Sequence, residues 1–127
     1  MATPPLRTED IDLDSTRRQY FDALDALGEA LSVLRTALNE GESALRTVRA
    51  HVEMQGKASD FVDVLHPAPM RAALGGALTE FERARHRSQR LLFRLLWAEG
   101  TSMSDVARAW GISRQLVSRL INEPDPT

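Results

Sequence analysis

Side chains that could bind a polyanion are concentrated toward the carboxyl end of the chain. The window 83–119 contains eight arginines and only two acidic residues. No acidic residue lies between positions 106 and 122, where arginine, glutamine and serine alternate with apolar residues. Residues 1–65 hold 12 acidic and 7 basic residues, a net charge of −5, whereas residues 66–127 hold 6 acidic and 9 basic residues, a net charge of +3. We therefore expect only the C-terminal part to contact a negatively charged partner.

The stretch MSDVARAWGISRQLVSRLI predicts two short helices rather than one. In a single helix the central glycine would cost about 1 kcal/mol, and the apolar residues would be scattered around the surface. Ser102 can instead cap a first helix, Met103–Trp110, which Gly111 ends by adopting a positive φ angle. Ser113 can cap a second helix, Arg114–Asn122. The sequence therefore predicts a chain reversal at position 111.

The same stretch resembles the helix-turn-helix superfamily, as found in sigma-factor region 4, the resolvase DNA-binding domain and many small repressors. Ala107, Gly111 and Val117 match the small, turn and branched apolar positions of that motif. The resemblance covers about residues 88–122, and SQRLLFRLLWAEG would supply the supporting helix. It implies a tri-helical head whose second motif helix lies in the major groove of double-stranded DNA. The leucines expected to cover the two motif helices are Leu91, Leu92, Leu95 and Leu96.

The resemblance also implies which side chains face the DNA. Arg114 and Arg119 can each donate two hydrogen bonds to a guanine edge, and Gln115 can bracket an adenine. Serine hydroxyls suit phosphate oxygens. The arginines upstream of the motif could neutralise flanking phosphates, or they could form a solvated helix face. The predicted DNA-binding residues are Ser104, Ser113, Arg114, Gln115, Ser118, Arg119, Arg87 and Arg90.

A 4–3 repeat of apolar residues extends from about position 14 to 55 and contains no proline. Such spacing keeps one stripe on a single face of a helix. In heptad notation, leucines and a valine occupy position a, mixed residues including Gly41 occupy d, and alanines occupy most of g. A continuous helix of roughly 40 residues would be about 60 Å long, so we expect it to need a partner. The predicted self-association residues are Leu24, Leu27, Leu31, Leu34, Leu38, Leu45, Val48 and Val52.

Two alternatives accompany the self-associating helix. Gly41 could end one helix and Ser43 could cap another, which would give an antiparallel hairpin. We favour the continuous helix because the heptad phase runs through NEGES unbroken. The stripe could also pack within the chain against a helix predicted from 69 to 99, but the stripe is longer than that helix. Whether the paired helices are parallel or antiparallel is left open by the sequence.

The predicted fold class is all-α, in four segments. Residues 1–12 form a flexible leader, and residues 13–56 form the long amphipathic helix. Residues 57–68 form a linker with a short helix, because QGKASD and HPAP interrupt helical geometry. Residues 69–127 contain a further helix, with Gly75–Gly76 as a candidate interruption, and the helix-turn-helix head.

The composition excludes several classes of function. The chain has no cysteine, which excludes disulfides and thiolate metal sites. The sequence contains no glycine-rich phosphate loop or nucleophile–base arrangement, and its three histidines are far apart. We therefore expect no enzymatic activity, no cofactor and no metal. The lack of a targeting segment or membrane-spanning stretch predicts a cytoplasmic, nucleoid-associated protein without a membrane partner.

Together these features predict a homo-oligomeric, sequence-specific DNA-binding protein, with a bacterial or phage transcription regulator as the expected class. Its partners would be double-stranded DNA and further copies of the chain, in a dimer or a tetramer. One alternative is an adaptor whose long helix binds RNA polymerase or another coiled-coil protein and whose head does not bind DNA. Another is an architectural DNA-binding protein with little sequence specificity.

Overall fold

The structure, a computed structural model, describes residues 5–124. In that range the chain forms helices and connecting turns without a strand, which confirms the predicted all-α fold class. The α-helices of the described chain are α1 (Leu13–Glu53), α2 (Phe61–Val64), α3 (Pro67–Ala98), α4 (Met103–Trp110) and α5 (Arg114–Asn122). Short 3-10 turns cover Thr8–Asp10 and Ala58–Asp60. No helix within residues 5–124 is both long enough and apolar enough to cross a membrane.

Helix α1 continues through Gly41 as one element of 41 residues, as the unbroken heptad phase predicted. Asp12 caps its first turn, because its Oδ1 accepts the backbone N–H of Asp14 at 3.2 Å. The alanine, leucine, arginine and glutamate residues of α1 are strong helix formers, which outweigh a glycine penalty of about 1 kcal/mol. The helix is closed by Gln55, which has a φ of 67° and whose N–H donates to the Val52 carbonyl at 3.0 Å.

Helix α3 begins at Pro67, slightly earlier than predicted, and runs without interruption through Gly75–Gly76. Pro67 and Pro69 both lie in its first turn, where backbone N–H groups have no acceptor inside the helix. Proline therefore removes no helical hydrogen bond at these positions. The helix ends at Ala98, and Gly100 follows with a φ of 107°.

The chain divides into two compact units whose limits differ from the predicted segments. The first unit comprises, of the described residues, 5–27 and 84–124. The second unit comprises residues Gly28–Arg83. Both limits fall inside long helices, because α1 and α3 each contribute residues to both units.

An apolar core joins α3, α4 and α5 in the first unit. Its fully buried members are Phe93, Val106, Ala107, Val117, Leu120 and Ile121, and its partly buried members are Leu6, Leu96, Trp97, Met103, Ile112 and Leu116. Helix α3 therefore contributes Phe93, Leu96 and Trp97, so that Leu96 alone of the four expected leucines packs against this core. Leu91 and Leu95 are buried on a different face of α3, four residues apart from each other. Each large side chain buried here contributes roughly 1.5–3 kcal/mol.

The described part of the leader differs from the flexible segment that was predicted. Leu6 packs against the core of the first unit. Its backbone N–H also donates to Asn122 Oδ1 at 2.7 Å, which joins the leader to the end of α5. Residues 1–4, the remainder of the predicted leader, lie outside the described residues.

In the second unit, α1 and α3 lie close enough for residues of both helices to line the same grooves. Ala37 and Gly41 of α1 line one groove with Leu74 of α3. Leu34 is only 9% exposed. The partly or fully buried positions of α3 in this unit recur with 4–3 spacing, at Met70, Leu74, Ala77 and Phe81. Helix α3 therefore provides, within the chain, one of the partners that the long helix was expected to need.

The residues predicted to mediate self-association fall into two groups. Leu34 is buried, and Leu27 and Val48 are partly buried. Leu34 is therefore corrected from an intermolecular contact to a residue covered within the chain. The exposed residues are Leu24, Leu31, Leu38, Leu45 and Val52. These five are the occupants of heptad position a, so position a remains on the surface.

Candidate nucleic-acid interface

Two serines and one glycine define the junction of α4 and α5. Ser102 Oγ accepts the N–H of Asp105 at 3.1 Å, which caps the start of α4. Gly111 follows α4 with φ 68° and ψ 35°, a left-handed conformation. Ser113 Oγ accepts the N–H of Leu116 at 3.1 Å, which caps the start of α5. The chain therefore forms two helices here rather than one, as predicted, and the first ends at Gly111.

The inner face of α5 is fixed by the core. The N–H of Ile112 donates to the Ala107 carbonyl at 3.0 Å, and the Ile112 side chain packs against the core. Val117 and Ile121 are 0% exposed. With these side chains buried, the orientation of α5 is set, and its opposite face is presented to solvent.

The outer face of α5 brings together four of the predicted DNA-binding residues. Arg114, Gln115 and Arg119 are exposed, and Ser118 is partly buried. A shallow depression of about 520 Å³ is lined by these residues together with two others, in full Met103, Arg114, Gln115, Ser118, Arg119 and Asn122. The polar groups in this lining are guanidinium, amide and hydroxyl groups, with no carboxylate. Such a surface can donate hydrogen bonds to anionic oxygens and to acceptors on base edges.

The two other predicted serines lie at the helix starts and are exposed. Ser113 uses an oxygen lone pair for its capping bond and retains its O–H as a donor. Ser104 lies in the first turn of α4. The nearby carboxylate of Asp105 forms an ion pair with Arg108 at 3.2 Å, which offsets its charge.

Two arginines upstream of the motif bind the end of α5 from within the head. Arg90 is 1% exposed, and its Nη1 donates to the Glu123 carbonyl at 3.1 Å. The Ile121 carbonyl accepts from Arg94 Nε at 3.1 Å and from Nη2 at 2.8 Å, and Arg94 Nη2 also donates to the Glu123 carbonyl at 3.0 Å. Burial lowers the pKa of both guanidinium groups, and the neighbouring Arg94 lowers the pKa of Arg90 further.

The prediction that Arg90 contacts a DNA phosphate is therefore wrong, because its side chain is buried and bonded to the backbone. Cations at the C-terminal end of a helix interact favourably with its unpaired carbonyls and its dipole. His86 extends this contact, since its Nε2 lies 2.8 Å from Glu123 Oε2. Arg87 is partly buried and interacts with another group of the chain.

Asn122 and Met103 border the same surface but were not predicted. Asn122 lies seven residues after Gln115 and four after Ser118, so helical spacing alone could have placed it on this face. Its Nδ2 donates to the Ser118 carbonyl at 2.8 Å, and its Oδ1 accepts the N–H of Leu6. The leader therefore reaches the edge of the exposed face of α5.

Comparisons with known proteins identify no relative: no protein family, no curated protein and no solved structure matches the chain. What the chain can bind is therefore argued from its own residues. On that basis, α5 presents a set of hydrogen-bond donors that lies over an apolar core and is free of carboxylates.

Proposed function

We propose that the protein is a homo-oligomeric, sequence-specific DNA-binding protein that acts as a bacterial or phage transcription regulator at the nucleoid. In this proposal α4 and α5 are a helix-turn-helix pair, and α5 enters the major groove. The proposal depends on one observation: four side chains with base-reading chemistry share one exposed face of the helix that follows the Gly111 turn. They are Arg114, Gln115, Ser118 and Arg119.

The side chains on α5 match the hydrogen-bonding patterns of the major groove. A guanidinium such as that of Arg119 can donate to O6 and N7 of one guanine, and the amide of Gln115 can donate to N7 and accept from N6 of adenine. Each such pair discriminates against a wrong base by about 1–3 kcal/mol. Sequence specificity would therefore come from residues in the first half of α5 and from Arg119.

Phosphate contacts would come from the rim of this surface. Ser113 and Ser104 have free O–H donors at exposed helix starts, and Arg87 adds a positive charge on α3. Each phosphate that the protein neutralises would change log K by about −0.9 per unit of log salt concentration. Binding should therefore weaken steeply as salt is added.

The buried contacts of α5 support such a role by holding the helix before DNA arrives. Arg90 and Arg94 fix its C-terminal carbonyls, and the core fixes its inner face. A binding helix that is already ordered loses less conformational entropy when it binds.

The proposal is tested by measuring binding of the full chain to a fluorescent pool of random double-stranded DNA across a salt series. Arg119→Ala and Gln115→Ala should weaken binding. Arg49→Ala is the matched control, because Arg49 is an exposed arginine of α1 that pairs with Glu53 at 2.8 Å. Absence of binding at low salt, or an equal loss in the Arg49→Ala control, would contradict the proposal. A salt-dependent affinity that is identical for every sequence would identify an architectural protein instead.

A second candidate function is a protein-interaction adaptor, and the exposed leucines of α1 favour it. Leu31, Leu38 and Leu45 are between 42% and 72% exposed, which suits a helical binding partner. In that case, substitution of these leucines would abolish partner binding, while Arg119→Ala would have no effect on any activity of the protein.

A further inference from the structure

One column of α1 remains on the surface of the second unit. Its members are spaced by seven residues and are 42%, 49%, 72% and 47% exposed, in the order Leu31, Leu38, Leu45 and Val52. At a rise of 1.5 Å per residue, they form one apolar line about 32 Å long. A continuous exposed apolar line of this kind marks an interaction surface, unlike single exposed apolar residues.

The column borders an open groove between α1 and the following helices. The groove has a volume of about 690 Å³, and Leu38 and Leu45 of α1 face Leu65, Met70 and Leu74 across it. A helix lying along the column would cover both the column and this groove.

Two charged residues, Arg35 and Glu42, flank the column at heptad position e, and both are exposed. Within the part of the chain that the structure describes, Arg35 has neither an ion-pair nor a hydrogen-bond partner. The carboxylate of Glu42 lies 3.9 Å from Arg46 of the same helix, which is a weak surface pair. Both charges can therefore bind an opposite charge on a second molecule.

An antiparallel pairing with its two-fold axis at Leu38 places the column of one copy against the column of the other. Positions 31 and 45 are each seven residues from Leu38, so Leu31 of one copy lies opposite Leu45 of the other. The same operation brings Arg35 of each copy next to Glu42 of the other copy, which gives two such pairs. A parallel pairing in register would instead place the two e positions on opposite sides of the interface, each next to a g-position alanine, so no such ion pair would form.

We infer that two copies of the chain associate through this column in antiparallel orientation, with Leu38 at the two-fold axis and two Arg35–Glu42 ion pairs between the copies. The inference rests on the self-association part of the proposed function and adds the surface and the orientation. Because Leu34 on the neighbouring face of α1 is already buried within the chain, and α1 and α3 line common grooves, the dimer would be a four-helix arrangement of two α1–α3 pairs.

Disulfide cross-linking tests the orientation directly, because the chain has no cysteine of its own. The Leu31→Cys variant with a large affinity tag is mixed with the untagged Leu45→Cys variant, and the mixture is oxidised. A mixed dimer contains one copy of each variant, and a self-linked dimer contains two copies of the same variant. Gel mobility separates the three products because of the tag. Disulfides join residues whose Cα atoms are about 4.4–6.8 Å apart. In the antiparallel dimer the mixed pair meets this condition, whereas each self-pair is about 21 Å apart. We expect most of the disulfide-linked protein to be the mixed dimer.

Two results would overturn the inference. Self-linked dimers as the main products of the mixture would show a parallel pairing. Linkage no more frequent than in Ser43→Cys, an exposed α1 position away from the column, would show that the column is not an interface. Circular dichroism of each variant confirms that the helices are intact before oxidation.

Charge reversal gives a second measurement on the same surface. Arg35→Glu should weaken dimerisation, Glu42→Arg should weaken it as well, and the double variant should recover the dimer in light scattering. Failure of the double variant to recover would contradict the Arg35–Glu42 pairing. Neither experiment contains DNA. A failure of the antiparallel dimer can therefore be distinguished from a failure of the proposed DNA binding.

Discussion

Substitution of Gly111 tests the turn that sets the direction of α5. Its φ of 68° lies in the left-handed region, where a residue with a Cβ atom is strained by about 1–2 kcal/mol. A Cβ atom at this position would meet nothing within 4 Å, so no steric clash adds to the backbone strain. Alanine also lowers the conformational entropy of the unfolded chain, which stabilises the folded state by about 0.4–1 kcal/mol. We therefore expect Gly111→Ala to destabilise the protein by about 0–1.6 kcal/mol in total.

The measurement is urea unfolding, followed by circular dichroism and by tryptophan fluorescence. Both tryptophans report on the head, since Trp97 packs against its core and the Trp110 ring lies 4.9 Å from that of Phe93. For a chain of this size, 1 kcal/mol corresponds to a midpoint shift of about 0.3–1 M urea. Gly76→Ala is the matched control, because Gly76 is helical and its added Cβ would also meet nothing within 4 Å. We expect this control to stabilise by about 0.5–1 kcal/mol, so the two alanines should shift the midpoint in opposite directions. A midpoint that rises in Gly111→Ala as it does in Gly76→Ala would refute a left-handed turn at position 111.

Three further predictions follow from particular contacts. Arg94→Met should lower the free energy of unfolding by about 1–3 kcal/mol, because it removes the charged donors that bind the end of α5 and keeps an apolar side chain of similar length. An unchanged urea midpoint would count against this contact. Arg119→Ala should cost about 1–3 kcal/mol of DNA affinity and relax the preference at one base pair, whereas an equal loss on all sequences would assign Arg119 to phosphates. Gln55→Gly should raise stability by about 0.5–1 kcal/mol, because Gln55 has a φ of 67°, and a thermal melt that shows no gain would contradict this.

The ends of the helices could be predicted from the sequence because the interactions that set them are local. Ser102, Gly111 and Ser113 act on groups two to four residues away, so their chemistry and spacing determine α4, the turn and α5. The same reasoning placed Arg114 and Arg119 on the outer face of α5, because burial of the apolar residues leaves that face to solvent.

The contacts between α3 and the rest of the chain could not be predicted in this way. The contact of Arg94 with the end of α5 joins residues 27 and 29 positions apart, and nothing in the spacing of the arginines distinguishes a capping side chain from a solvated one. The apolar pattern of α3 was also missed, because small residues such as Ala77 weaken its 4–3 repeat. For that reason the sequence could not show that Leu34 is covered within the chain while Leu31 and Leu38 stay exposed.

The most direct test of the proposed DNA binding is selection of bound sequences from a randomised double-stranded DNA library by the full chain. We predict that selection enriches one sequence, that the enriched site is a palindrome because two copies bind it, and that enrichment is lost in Arg119→Ala. Recovery of an unenriched pool at low salt, or a pool with the same preference from the Arg119→Ala variant, would contradict a role for α5 in reading DNA.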